Sequence, residues 1–567
     1  MLVISYIKKG LVMWKRIFYL LPITLLLFLS CSQQQPTVNR DGVEISGKIT
    51  YDRVPSAIIY GGIAKLDYDN IKKLPSKNIV IKAIGTDGKV ITQTTTDKKG
   101  RYSLFVPENS IIKIRVYARM YKKDYWDVSV VDNTNHKAMY VIDGSFHNVG
   151  TKHNIRNLHA SSGWGGEDYT SPRIAAPFAI LDSIDQAMEK VRIADKNAKF
   201  PQLTVNWSVN NIASAGDANS GQIITSNYDG ERGLWILGDA NSDTDEYDDH
   251  IIIHEWGHYF EDQFSRADNI GGSHSPGEAL DIRVAFGEGW GNAWSGIATD
   301  NPIYFDTSGY KQSSGWYMDL ENGAQENAGW YSEGSVQRIL YDLYDKTNEA
   351  HDKTSLGFTP MYKVLVGAER NTPAFTSIFS FIDALKRENS SESKNIDKTV
   401  AYENISKIKD AYGSNRRNSA NSQVATPIYK SLRVGSSINS CTQNNYGVYN
   451  KLGNRGYIKV KIDSDGTYQF SAKANNYSSD PDIILYQTIY PHKDIGISSY
   501  EGRPDDTLVI NLKKGNYLLD VFDASFNNSC STISVNRANS NYKTKGENGA
   551  VMTKPVRRRG LPKRQYY

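Results

Sequence analysis

The sequence predicts an α+β domain flanked by two β-sandwich domains, on three observations. Residues 43–130 and 434–535 consist of short β-rich runs separated by Gly, Pro, Asn and Asp turn signals. Residues 131–430 open with one helical repeat, continue with strands, and then turn mostly helical. A chain of 567 residues with 39% hydrophobic content is too long for one compact core and apolar enough to fold.

The first 31 residues form an address. Lys8, Lys9, Lys15 and Arg16 precede "IFYLLPITLLLFLSC", an apolar run of roughly a dozen residues that is short for a membrane span. Met13 is an alternative start, since "MWKR" suffices as a basic leader. The Leu-Ser-Cys ending resembles a bacterial lipobox, with Phe28 where that pattern prefers leucine. The resemblance implies lipidation at Cys31 and an exported, membrane-anchored protein of the bacterial cell envelope, at the outer membrane or cell surface. A plain cleaved signal, which would give a secreted protein, and an uncleaved anchor are the alternatives. Residues 32–42 are a polar linker. Cys441 and Cys530 then remain as an even pair that an oxidising compartment lets join in a disulfide, against two buried free thiols.

Charge excludes one class of partner. Sixty-six basic and 62 acidic residues leave a net charge of +4, too small and too evenly spread for nucleic acid. The basic cluster Arg557–Arg564 sits in a polar segment, 536–567, that reads as a solvated, disordered tail.

In 43–130, "NIVIKAI", "KVITQTTT", "RYSLFV" and "IIKIRVYAR" read as strands separated by "TDGK", "DKKG" and "PENS". Thr96, Asp97, Gly100 and Tyr102 resemble the turn of the carboxypeptidase regulatory-like family, which implies an accessory domain without chemistry of its own. In 434–535, "GYIKVKI", "TYQFSAKA", "DIILYQT", "DTLVINL" and "NYLLDVFDA" repeat the sandwich pattern. This segment resembles the pre-peptidase C-terminal domains of secreted bacterial proteases. Asp480 and Asp482 are candidate Ca2+ ligands there, although a solvated turn fits their setting better.

The central domain holds "IIIHEWGHYF", Ile251 to Phe260. On a helix, His254 and His258 lie on one face a turn apart and can place two imidazole nitrogens on one zinc ion. Glu255 is offset round the helix, where it reaches a metal-activated water as a base without being a ligand. Ile251, Ile252, Ile253, Trp256, Tyr259 and Phe260 would bury the rest of the helix, so two inward-facing histidines need a reason. The run "DTDEYDD" before it puts carboxylates at the helix N-terminus, where the dipole favours them. His250, one turn earlier, lies on the same face without being counted as a ligand.

Catalytic zinc needs a third protein ligand and an open position. A histidine six residues after His258 is absent, since Phe264 stands there and Glu261 replaces the glycine that accompanies it. Glu288 in "AFGEGWGNAWSGIA" is the preferred third ligand, on a following helix. His274 and Glu278 are rivals in a Gly- and Ser-rich loop that would hold a ligand less rigidly.

"DDHIIIHEWGHYFED" and "FGEGWGNAW" resemble the gluzincin metallopeptidases, the thermolysin and fungalysin group, and most closely the fungalysin form. The resemblance implies a zincin-type catalytic domain, one catalytic Zn2+ held by His254, His258 and Glu288, and a polypeptide substrate. That family orients its first zinc histidine with an aspartate; here Asn292 stands in that place, able to accept the bond but adding no charge. "GWYSEGSV" puts Tyr331 where thermolysin-like enzymes carry an oxyanion-stabilising histidine, against Tyr331 and Trp330 as plain core residues. Either "GLWILGD" or "GQIITSN" offers a strand edge for an extended peptide.

The leading expectation is an endopeptidase with Glu255 as base. A zinc hydrolase or aminopeptidase of another specificity shares the same metal logic. A surface binding protein with an inert zinc helix is a separate class, disfavoured by the intact Glu255.

Overall fold

The computed structural model describes residues 41–538 other than 323–326, 348–349, 415 and 417–426. The leader with Cys31, nearly all of the 32–42 linker, and the basic tail after Ala538 lie outside the described residues. Gly42 onward forms one compact unit. Among the described residues, no helix is long and apolar enough to cross a membrane.

A ten-stranded sheet underlies the first half. Its central path runs Asn227–Asp229, Gly233–Ile236, Leu203–Trp207, Trp126–Asp132, Ile111–Lys122, Ile79–Gly85 and Val90–Thr95. Trp126–Asp132 pairs in parallel with Leu203–Trp207, so one sheet runs across residue 130, where the sequence suggests a domain boundary. The connection between these strands contains helix α1, Ala176–Ala194, whose Phe178, Ile180, Leu181 and Ile184 share a core with Ile81, Val116, Val128 and Val130. A parallel pair requires such a crossover. The Thr96–Tyr102 turn has a mechanical basis: Asp97 accepts from the backbone of Lys99 and Arg101, and Gly100 sits at φ +73°. A Cβ at Gly100 would meet the Ile49 carbonyl at 2.5 Å.

Helix α2 (Asp249–Phe264) packs against the Asn227–Asp229 and Gly233–Ile236 strands of this sheet, α3 (Ile282–Thr299) packs on α2, and α4 (Glu333–Tyr344) packs on α3. Helices α2 and α3 pack through aromatic rings, with Trp256, Phe260 and Trp290 each within 5.5–6.0 Å of Trp294. Their approach depends on glycine. A Cβ at Gly257 would meet Trp294 at 3.1 Å, and one at Gly291 would lie 2.7 Å from the His254 ring.

The C-terminal region forms β-sandwich-like sheets of five and four strands. Ile458, Val460, Leu519 and Val521 from one face Phe470, Ala472, Ile533 and Val535 from the other in a shared apolar core. Cys441 and Cys530 sit opposite each other in neighbouring strands and are joined as a disulfide. Asp480 and Asp482 are 5% and 1% exposed, which corrects the solvated turn expected of them. The Gly502 amide donates to Asp480, whose own amide is bound by Asp523.

This sandwich is pinned to α3. Arg283 in the first turn reaches Asp281 at 3.1 Å and Asp520 of the sandwich at 3.2 Å, while Arg455 holds the same Asp520 at 2.7 Å. Tyr457 donates to Asp281, and all five side chains are buried.

Candidate metal centre

Helix α2 carries His254, Glu255 and His258, all buried, and α3 brings Glu288 against them. His254 Nε2 lies 3.1 Å from His258 Nε2, and each lies 3.3 Å from Glu288 Oε2. Donors at 2.0–2.1 Å from a tetrahedral zinc stand about 3.3 Å apart, so these three atoms fit that ion. Glu288 cannot turn away, because Asn269 Nδ2 donates to its other oxygen at 2.7 Å. Burial alone would raise the Glu288 carboxyl, but the facing His274 and His258 hold it well below the usual carboxylate range.

The ligands are themselves oriented. His254 Nδ1 lies 2.9 Å from Asn292 Oδ1, and the Asn292 amide nitrogen donates to Gln337 Oε1 at 3.0 Å, which aims the oxygen at the imidazole. Glu261, one turn beyond His258, places a carboxylate oxygen 3.6 Å from His258 Nδ1 and is pushed up to about 7 by burial. The sequence names Glu261 only to exclude another ligand pattern; its i+3 spacing from His258 is a local signal for this role.

Beside the imidazoles, Glu255 is 7% exposed and its Oε2 has no hydrogen-bond partner among the described residues. Its carboxyl is raised by burial, against the lowering effect of His254 and His258. It lines a cavity of about 450 Å³ together with His254 and His274.

His274 is closer to this centre than its loop suggests. Its Nε2 lies 3.3 Å from Glu288 Oε2, and its Nδ1 lies 2.8 Å from Glu333 at the start of α4. The Gly- and Ser-rich loop is not loose, because Asn450 and Lys451 donate to the Ser273 carbonyl and Asn450 also to that of Gly271. These ties come from residues nearly 180 positions away, which local composition does not reveal. Glu278, the other rival, instead pairs with Lys451 at 3.2 Å.

Several expectations are corrected. The Tyr331 hydroxyl donates to the Ala328 carbonyl at 3.3 Å and its ring packs on Trp330, so it does not line the cavity. Gly233–Ile236 is flanked by strands on both sides and is no edge; the edge is Asn227–Asp229, preceded by the cavity-lining Thr225 and Ser226. Only Asp248 and Asp249 of the acidic run stand at the start of α2, while Asp243 and Asp245 turn into the cavity. His250 contacts the Asn301 carbonyl at 3.1 Å, away from the imidazole pair.

A family model, the Mycolysin C-terminal domain, matches residues 189–402, a span that includes α2, α3, His274 and Glu333. At family level this supports a metalloprotease, a zinc enzyme in general, of secreted type. No curated protein matches the chain in sequence. Among solved structures, the pre-peptidase C-terminal domain of Bacillus anthracis collagenase is 13% identical over 19% of this chain and 93% of its own, at a TM-score of 0.16. A Yersinia pseudotuberculosis mitogen is 11% identical over 21% and 97%, at 0.14. The Aeromonas hydrophila lysozyme inhibitor PliG is 11% identical over 19% and 96%, also at 0.14.

Proposed function

We propose that this chain is an exported zinc endopeptidase with a zincin-type catalytic domain, anchored through Cys31. The observation that carries the reading is three donor atoms converging at 3.1–3.3 Å beside a buried Glu255 oxygen that has no partner among the described residues. His254, His258 and Glu288 would hold the metal. When bound, zinc supplies Lewis acidity, lowering the pKa of water from 15.7 towards roughly 7 and polarising a carbonyl.

The remaining steps belong to the chain. Glu255 takes the proton of the attacking water as its oxygen bonds to the peptide carbon. It then delivers that proton to the amine as the C–N bond breaks. Burial raises the Glu255 carboxyl, which suits a group that must both accept and return a proton near neutrality. We assign the oxyanion to His274 in place of Tyr331, because His274 lines the cavity and Glu333, 2.8 Å from its Nδ1, holds the ring in place. Asn292 and Glu261 position the two imidazoles.

The test is zinc analysis and casein digestion of wild type and Glu255→Gln. The expected outcome is one zinc per chain in both, with cleavage falling at least ~100-fold in the variant. Equal cleavage by both proteins would reject Glu255 as the base. Zinc in neither would reject the metal centre.

A further inference from the structure

One wall of the cavity that holds Glu255 continues beyond it as a sheet face. Ile303–Asp306 and Trp316–Asp319 pair antiparallel, with Asp306 opposite Trp316 and Tyr304 opposite Met318, and all four residues line the cavity. Ser56–Ile59 and Ile63–Leu66 form a second hairpin, with Ile59 opposite Ile63. Ala64 and Gly315 join the two hairpins by exchanging both backbone hydrogen bonds, at 3.0 and 3.1 Å. That register sets Ile63 beside Trp316 and Gly62 beside Tyr317, and a Cβ at Gly62 would lie 3.7 Å from the Tyr317 ring.

Residues directly opposite each other in antiparallel strands point to one face. Asp306, Trp316, Ile63 and Ile59 therefore make a single row across four strands, apolar from Trp316 outward. Trp316, Ile63 and Ile59 are 43%, 38% and 37% exposed, and Tyr60 at the hairpin tip is wholly so. Each of the three thus keeps area to lose to a partner, and exposed apolar side chains standing side by side mark a surface that binds one.

Where the row leads decides what covers it. A bilayer or a second copy of the chain lying on it would also cover Trp316 at the cavity mouth and block entry to the candidate metal centre. An extended polypeptide instead follows the row into the cavity. The path from His254 to Trp316 passes through Tyr304, whose ring centroid lies 6.5 Å from the first and 5.8 Å from the second. Two further strand spacings of about 4.8 Å reach Ile59, so a chain rising about 3.3 Å per residue meets the row roughly four to seven residues from the cleaved bond.

We infer that Trp316, Ile63 and Ile59 form a docking row for the polypeptide substrate, gripping its apolar side chains four to seven residues from the cleaved bond. This inference rests on the hydrolase reading above. It makes long, extended chains with apolar segments the substrate class.

Two peptides of equal length provide the test, alike around the cleaved bond and carrying either leucine or serine at the positions four to seven residues away on each side. With zinc-loaded full-length protein, kcat/KM should be roughly tenfold or more higher for the leucine peptide, through KM, since half-burying two or three leucines is worth that much. In Ile59→Ser/Ile63→Ser, checked for folding by circular dichroism and thermal melting, that ratio should fall towards one; in Ile59→Leu/Ile63→Leu it should return. Equal cleavage of both peptides by wild type, or a ratio retained in the serine variant, overturns the docking row alone. A wild type that dimerises in sedimentation velocity while the serine variant stays monomeric overturns it too, by giving the row to a second copy. Phosphatidylcholine vesicles bound by wild type and not by the serine variant overturn it as well, by giving the row to a bilayer. Cleavage of neither peptide nor casein overturns the hydrolase reading, and this inference with it.

Discussion

At Gly291 the space for a side chain is already filled by an imidazole. A Cβ there would lie 2.7–2.9 Å from three atoms of the His254 ring, whose Nδ1 is held by Asn292 at 2.9 Å. The ring cannot yield without losing that bond or leaving its place opposite His258. Gly291→Ala should therefore weaken zinc binding about 10–100-fold while the helical signal persists, read by competition with a chelator and by circular dichroism. Unchanged affinity would mean that His254 has freedom the packing denies it. A second residue-scale expectation concerns Glu369, buried and bonded to Ser380 at 2.7 Å, with its carboxyl pushed up to about 8 by burial. The unfolded chain loses this proton near 4.5, its ordinary value, while the folded chain keeps it. Between those values the native state binds more protons, so this group's contribution to stability falls as pH rises from 4.5 to 8. Glu369→Gln keeps the acceptor for Ser380 and should flatten the decline in Tm between pH 5 and 8; an identical slope would show that Glu369 ionises normally.

At the scale of elements, what can be read from sequence depends on how far apart the partners lie. The His254–His258 pair is legible because i, i+4 spacing fixes a shared face within one turn. Glu288 is legible as a carboxylate among small and aromatic residues on the next helix, and the glycines around it mark close packing. The role of Glu333 and the rigidity of the His274 loop are not legible, since they depend on α4 and on Asn450 and Lys451 folding back over the loop. Nor is Asp306, which joins Asp243 and Asp245 only when its hairpin folds against the loop before α2. Tyr331 misleads for a related reason: its local pattern matches, but the turn before α4 directs its hydroxyl to Ala328. Helix α3 also carries a long-range dependence. Arg283 neutralises Asp281 and Asp520 while its guanidinium stacks 4.6 Å from the Phe375 ring. Removing it takes the adjacent cation from buried Asp281 and leaves Asp520 with Arg455 alone. Arg283→Met should destabilise the protein by about 3–5 kcal/mol in urea unfolding, far more than an exposed ion pair would. A loss below ~1 kcal/mol would place this network in water.

Across the whole molecule, the C-terminal sandwich behaves in this geometry as a brace for the centre. It touches both sides of the candidate metal site: Asp520 holds the start of α3 through Arg283, and Asn450 and Lys451 fix the loop that presents His274. The sandwich is closed on itself by Cys441–Cys530, 89 residues apart, whose loop encloses most of its strands. Opening a loop of that length releases chain entropy in the unfolded state worth about 4.6 kcal/mol in the simplest model. Because anything that stabilises the native state alone raises its melting temperature, zinc and the disulfide should act on one shared transition. The Cys441→Ser/Cys530→Ser double variant is therefore expected to lower the Tm of the tryptophan-rich α2–α3 pair along with that of the sandwich. Zinc should raise both together, with tryptophan fluorescence following the first and limited proteolysis with mass mapping following the second. Two separate transitions, with zinc shifting only the fluorescence one, would show that the sandwich is a passenger and that the Arg283 and Asn450 contacts transmit no stability between the two regions.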